Sequence, residues 1–179
     1  MKKVICEDRT FKSTKEKIRK NFCYPEIRLV SLYRKAQYYT KCKNPITRAY
    51  WSLRWLYIRK KYGMQISLDA KIGKGLRLLH DGVRIVVKAA TLGEQCVLGV
   101  NVVIGYGYNQ DGWNAPTLGD RVYVGHNSSL VGDIVIGDDV LIAPNAYVNK
   151  DVPSHSVVIG NNVIIPKENA SAPFLTIGP

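Results

Sequence analysis

The sequence predicts a parallel β-solenoid of short strands preceded by a helical segment, and two observations carry that prediction. From residue 118 onward an aliphatic residue falls at every sixth position: Leu118, Val124, Leu130, Ile136, Ile142 and Val148. A small or aliphatic residue follows each after four places, at Val122, Ser128, Ile134, Val140, Ala146 and Val152. A period of six fits neither an amphipathic helix nor a hairpin meander; it is the pattern of stacked coils whose strands each turn one aliphatic residue to a shared interior. The second observation is a charge boundary. Residues 1–63 hold 18 of the 26 Lys and Arg but only 4 of the 14 acidic residues, a net +14, whereas the remainder carries −2. The chain therefore divides into a basic aromatic helical segment (1–63), a solenoid (64–168) and a C-terminal tail (169–179).

Composition narrows the class. With 46% hydrophobic and 22% charged residues, the 179-residue chain has material for a core and is not a disordered sequence. No apolar run approaches the roughly 20 residues of a membrane span, and the basic start lacks the apolar stretch of a secretory signal. A cytoplasmic protein is expected. Cys6, Cys23, Cys42 and Cys96 show no CxxC pairing, so unreactive thiols and no metal are expected.

In the basic segment, Pro25–Glu26 can open one helix, and Asn44 before Pro45 starts a second, because Asn caps a free N–H and Pro suits the first helical position. The second helix should end at Gly63, after Arg59, Lys60 and Lys61. Ile46, Ala49, Tyr50, Leu53, Leu56 and Tyr57 recur at helical spacing and form a stripe expected to be buried. Tyr33, Tyr38, Tyr39, Trp51 and Trp55 interleave with cations, a mixture that suits a packed helix face or peripheral contact with an anionic membrane. A nucleic-acid partner is not expected.

The solenoid register continues upstream through Val86, Leu92, Leu98 and Ile104, with Ala90, Cys96 and Val102 as the second set, and earlier through Ile66, Ile72 and Leu78. Glycine follows many of the aliphatic residues, at Gly73, Gly93, Gly99, Gly105, Gly119, Gly125 and Gly137, where backbone freedom would help the chain corner. Asn101, Asn127 and Asn145 precede inward positions and suit a left-handed backbone. Two places break the period. Two extra residues bulge around LLHDGVR, which contains His80, and YGYNQDGWNAPT interrupts the register between Ile104 and Leu118. Extra residues in a solenoid map to surface loops, which commonly carry function.

The runs KIGKGLRLLHDGVRIVV and TLGDRVYVGHNSSLVGDIVIGDDVLIAPNAYVNKDVPSHSVVIGN resemble the hexapeptide-repeat acyltransferases, most closely serine O-acetyltransferases and their capsule and surface-polysaccharide relatives. The resemblance covers about residues 62–168. It implies a mainly β protein with a left-handed parallel β-helix, acetyl-CoA as co-substrate without a metal, and a homotrimer with active sites at subunit boundaries. It implies that His80 is the general base that takes the acceptor hydroxyl's proton, a task suited to imidazole with its unperturbed pKa of about 6.5. Acetyl-CoA would run along a solenoid edge at Gly105–Tyr106, Gly125–His126 and Ala143–Pro144, with Lys167 facing its phosphates; Tyr106, His126 and Pro144 are larger than the family's residues there.

Two departures bear on the acceptor. Where the family orients its catalytic imidazole with Asp, this chain has Gln65, which can hold the tautomer but lacks the charge to stabilise an imidazolium. Where the family has an Arg-His pair that engages an amino-acid substrate, the loop reads Asn114 and Ala115 before Pro116. A hydroxyl without a neighbouring carboxylate, as on a sugar or polysaccharide precursor, is therefore the expected acceptor, with Asp81, Asn109, Asp111, Trp113 and Asn114 available to bind it. The alternatives are true serine O-acetylation and a non-catalytic hexapeptide scaffold. A metal-dependent hydratase on this fold would need three gathered histidines, and His80, His126 and His155 are read as lying on distant coils. His155 falls in the exit turn, where a structural role is expected.

Overall fold

The computed structural model describes residues 25–80, 84–88, 90–109 and 112–175. Helix α1 (Pro25–Tyr39) and helix α2 (Pro45–Tyr62) lead into the solenoid. Asn44 caps α2 by accepting from the backbone N–H groups of Ile46 and Thr47, and Gly63 ends it at φ 61° while donating to the carbonyl of Arg59. The first coil contains β1 (Gln65–Ile66), β2 (Lys71–Ile72) and β3 (Arg77–Leu78); the second contains β4 (Val86–Val87), β5 (Thr91–Leu92) and β6 (Val97–Leu98). The third begins with β7 (Val103–Gly105), projects a hairpin of β8 (Gly107–Asn109) and β9 (Gly112–Asn114), and returns through β10 (Thr117–Leu118) and β11 (Tyr123–Val124). The fourth is β12 (Ser129–Val131), β13 (Val135–Ile136) and β14 (Val140–Ile142); β15 (Tyr147–Val148), β16 (Ser156–Ile159), β17 (Val163–Pro166) and helix α3 (Ala172–Leu175) close the chain.

Corresponding strands stack into three sheets, β1-β4-β7-β12-β15, β2-β5-β10-β13 and β3-β6-β11-β14-β16, with β17 added antiparallel to the third. Each sheet carries one buried or partly buried aliphatic column. In the third sheet, Leu78, Leu98, Val124, Ile142 and Val158 lie in register. The second set of the repeat, from Ala90, Cys96 and Val102 to Val152, is buried throughout. The six-residue spacing thus builds the core as the pattern requires.

At one point the register differs from the sequence reading. Val87 is the fully buried residue that pairs with Ile104, and Val86 faces outward. The step from Leu78 is therefore nine residues and the next is five; two adjacent valines match the period equally, and only the stacking selects one. The repeat glycines also serve a different purpose from the one expected. Gly73, Gly93, Gly99, Gly105, Gly119, Gly125 and Gly137 do not have positive φ. Most of them sit where coils touch: a Cβ on Gly73 would lie 2.5 Å from the backbone of Gly93. The left-handed corners are borne by Asn101, Asn127 and Asn145 at φ 64°, 60° and 62°, together with Gln95, Arg121 and Asp139 in other corners.

Among the described residues no coil lies beneath the first, and α1 supplies partners for it. The Tyr33 hydroxyl donates to the carbonyl of Ser67 at 3.1 Å, Gln37 donates to those of Leu68 and Ala70, and the Arg34 guanidinium donates to those of Ile72 and Gly73. Burial pushes the Tyr33 pKa up to about 12, so it remains a donor at any working pH.

The buried face of α2 is not the predicted stripe. Trp55 and Ile58 are buried, with Trp51 and Tyr62 packed beside them, while Ile46, Tyr50, Leu53, Leu56 and Tyr57 are 46–79% exposed. The helix has two apolar faces. The one bearing the larger aromatic surface settles onto the solenoid and α1, where Trp55 meets Tyr33 at a ring-centroid distance of 5.5 Å.

Candidate functional site

The residues that follow the third sheet form a corner column. Two positions past Leu78, Leu98, Val124, Ile142 and Val158 stand His80, Val100, His126, Pro144 and Gly160. Adjacent strands are about 4.8 Å apart, so His80 and His126, two coils apart, would be roughly 10 Å apart if their side chains were parallel. Their ring centroids are instead 5.2 Å apart, tilted by 37°. The two imidazoles lean towards each other across the Val100 coil.

Local chemistry sets each ring. His80 adopts φ 62°, one place earlier in its corner than Asn101, Asn127 and Asn145 in theirs, so the bulge starts at the histidine itself. Its side chain is exposed. The Nδ1 atom of His126 accepts the Val100 N–H at 2.9 Å, which leaves the proton of the neutral ring on Nε2. Burial, and then the neighbouring His80, hold the His126 pKa below the ordinary histidine value. Gly99 makes room for this arrangement, since a Cβ there would lie 2.8 Å from the His126 backbone N and 2.9 Å from its Nδ1. The corner therefore holds an exposed imidazole beside a neutral one of fixed tautomer.

This arrangement corrects the reading of the histidines as lying on distant coils. Two of the three meet, because sequence separation says little about distance in a solenoid. The third is engaged elsewhere: His155 Nδ1 lies 2.9 Å from the buried Asp139 carboxylate and 3.2 Å from Glu168. Among the described residues no group of three or more His, Cys, Asp or Glu side chains is placed to hold a metal.

Gln65 stands exposed at the start of β1, and among the described residues no hydrogen bond joins it to His80. It lines an open cleft of about 330 Å³ between α2 and the first sheet, together with Trp55, Arg59, Ser67, Lys88 and Tyr106. Two of these lining residues carry buried donors, the indole Nε1 of Trp55 and the Nε of Arg59, without a hydrogen-bond partner among the described residues. Each such donor costs about 1–3 kcal/mol of lost solvation.

The proposed donor-binding pairs separate in space. Gly125–His126 and Ala143–Pro144 lie in the corner column with His80, but Gly105–Tyr106 follows β7 in the first sheet and Tyr106 turns into the cleft. The three pairs do not form one edge, because the loop insertion shifts the repeat count between Ile104 and Leu118. Lys167 is exposed beyond β17, and its N–H donates to the carbonyl of His155. The aromatic loop is a hairpin in which Tyr108 and Trp113, 75% and 68% exposed, face each other at 5.5 Å. Trp113 thus pairs with Tyr108 rather than with either histidine, and Asn114 sits half-buried at the hairpin base opposite Gly107. Asp81 and Asp111 lie outside the described residues, as does the side chain of Asn109.

Sequence reasoning missed two features: the histidine pair and the cleft. The substitution of His126 for a small residue was a usable signal for the first. The start of the C-terminal tail is bound, since Asp139 accepts from the N–H groups of Ala170 and Ser171 and from the Ser171 hydroxyl at 2.7 Å.

Residues 115–150 match the family model described as bacterial transferase hexapeptide (six repeats). The chain is 38% identical over 100 residues to a serine acetyltransferase of Helicobacter pylori, covering 55% of this chain and 58% of that protein. It is 31% identical over 140 residues to one of Mycobacterium tuberculosis, covering 78% of this chain and 59% of that protein. The crystal structure of Neisseria gonorrhoeae serine acetyltransferase in complex with serine superposes with a TM-score of 0.70 at 25% identity, covering 89% of this chain and 66% of that one. The chain spans a little over half the length of the curated relatives it matches. The solenoid is thus similar to those of the serine acetyltransferases named above, with the hexapeptide match confined to residues 115–150.

Proposed function

We propose that this chain is an acetyl-CoA-dependent O-acetyltransferase with His80 as general base. The observation that carries the reading is the exposed His80 imidazole, held in a left-handed corner beside the neutral His126. Acetyl-CoA supplies an acyl thioester as co-substrate. The corner fits its reacting end, because the column offers one ring free to accept a proton and one N–H donor that does not compete for it. His80 accepts the acceptor hydroxyl's proton as the oxygen attacks the thioester carbonyl, His126 Nε2–H is the neighbouring donor available to the negative charge on the acyl oxygen, and collapse of the adduct breaks the C–S bond, the CoA thiolate leaving with the proton held by His80. Gly125, Ala143 and Pro144 continue the column for the pantetheine arm, and Lys167 offers a cation for the phosphates.

The relatives named above are serine acetyltransferases, which makes serine the acceptor to test first. Asn114 and Ala115 supply no cation for a substrate carboxylate, and this favours a sugar or polysaccharide precursor. The reading includes a homotrimer with sites at subunit boundaries, to which the projecting Tyr108–Trp113 hairpin would contribute. It also includes a cytoplasmic location with peripheral contact at the anionic inner membrane face. The exposed apolar face of α2 and the absence of any acidic residue from that helix support such contact. Among the described residues no helix is long and apolar enough to cross a membrane.

The test is release of free thiol from acetyl-CoA with serine, other amino acids, nucleotide sugars and oligosaccharides, comparing the parent with His80→Ala. Turnover with a glycan that disappears in the variant supports the full reading, and turnover with serine replaces its acceptor. Absence of CoA binding by calorimetry would favour the non-catalytic scaffold.

A further inference from the structure

We infer that the cleft between α2 and the first sheet is a second ligand site, built for an oxyanion: a phosphoryl or carboxylate group of a small ligand. Two of its lining residues, Trp55 and Arg59, each carry a buried donor with no acceptor among the described residues, Trp55 Nε1 and Arg59 Nε, and Trp55 as a whole is only 3% exposed. Lys88 adds a second cation, and Gln65, Ser67 and Tyr106 add polar side chains able to donate. Among the described residues no acidic side chain lines the cleft. Trp N–H and the guanidinium can only donate, so the complement of this wall is an acceptor-rich group, and the two positive charges select a negative one. A volume of about 330 Å³ accommodates such a group with several attached atoms.

The site is distinct from the histidine corner. His80 and His126 do not line it, and its argument stands whether or not the acetyl-transfer reading holds. Gln65 and Tyr106, placed by resemblance at the catalytic and donor positions, belong by contact to this cleft.

The Trp55 indole is both wall and reporter. The chain has three tryptophans, Trp51, Trp55 and Trp113, so its indole N–H region in a ¹H–¹⁵N spectrum is simple, and Trp55→Phe assigns the signal. Inorganic phosphate and sodium acetate are titrated separately into the full-length protein at constant ionic strength, with chloride as the control anion. The expected result is a saturable shift of the Trp55 signal alone, with at least tenfold weaker binding in Lys88→Met, whose substituted side chain is exposed and carries little folding risk. Tighter binding of phosphate assigns a phosphoryl group, and tighter binding of acetate a carboxylate. A Trp55 signal that moves with neither anion, moves equally with chloride, or keeps its affinity in Lys88→Met overturns the site. His80→Ala should titrate like the parent, which separates failure of this inference from failure of the acetyl-transfer reading.

Discussion

His126 accepts the backbone N–H of Val100 through Nδ1 at 2.9 Å, and this single bond fixes which nitrogen of the ring faces the solvent side of the corner. Protonating Nδ1 would break the bond, so the geometry and the lowered pKa act in the same direction. A ring in this state donates without competing for the proton that His80 is proposed to take.

Replacing His80 by Ala should lower acetyl transfer by about 10²–10⁴, the range for loss of a general base, while leaving circular dichroism and the melting temperature close to those of the parent. The side chain is exposed, so a large loss of stability in this variant would assign it a structural role instead.

Gly99→Ala tests the histidine pair from behind. Gly99 does not have positive φ, so an alanine there is opposed by the 2.8–2.9 Å approach to His126 and by the Gly125 backbone carbon at 3.0 Å. Overpacking of this kind costs about 1–3 kcal/mol. Activity should fall by more than in His126→Asn, which keeps a side-chain acceptor for the Val100 N–H; equal activity in Gly99→Ala and parent would sink the proposed role of the pair.

Acid should loosen the C-terminal segment. Burial opposes ionisation of Asp139, but hydrogen bonds from Ser171, His155 and Ala170 outweigh it and hold the pKa below the usual carboxylate value. The folded-state pKa is depressed, so this stabilisation is complete above the unfolded-state value near 3.8 and is lost as the pH falls through the folded-state value. His126 acts at milder acidity: its depressed pKa means that stability falls as the pH drops from about 6.5 towards the folded-state value. Denaturant melts across pH 3–8 should show both steps, the lower one absent in Asp139→Asn and the upper one absent in His126→Asn. Asp139→Ala should cost about 2–4 kcal/mol at neutral pH, because it strands several buried donors.

Cys96 should resist alkylation in the native protein at pH 8. It is buried, and desolvation raises the thiol pKa to about 11. Cys42 is partly exposed and should label first; mass spectrometry of iodoacetamide-treated peptides gives the order.

Vesicle co-sedimentation addresses the exposed face of α2. Phosphatidylserine vesicles should retain the protein more than phosphatidylcholine vesicles, and Leu53→Glu with Tyr57→Glu should abolish the difference. If the double variant instead dissociates an oligomer with vesicle binding unchanged, the face is a subunit contact.

The sequence by itself determined the elements. Asn44–Pro45 and Gly63 bounded α2 correctly, since caps act within a few residues of themselves, and the six-residue period specified the coils because each inward position is set by its own strand. The left-handed corners at Asn101, Asn127 and Asn145 were legible for the same local reason. The tertiary structure decided the rest. Which face of α2 is buried, which of Val86 and Val87 turns inward, and why most of the repeat glycines are small all depend on neighbouring coils and helices, which leave no trace in the period. The meeting of His80 with His126 depends on stacking two coils apart and on a missing Cβ at Gly99. Local spacing encodes strands and corners; contacts between coils arise only when the bulge and the hairpin have set the register of the stack.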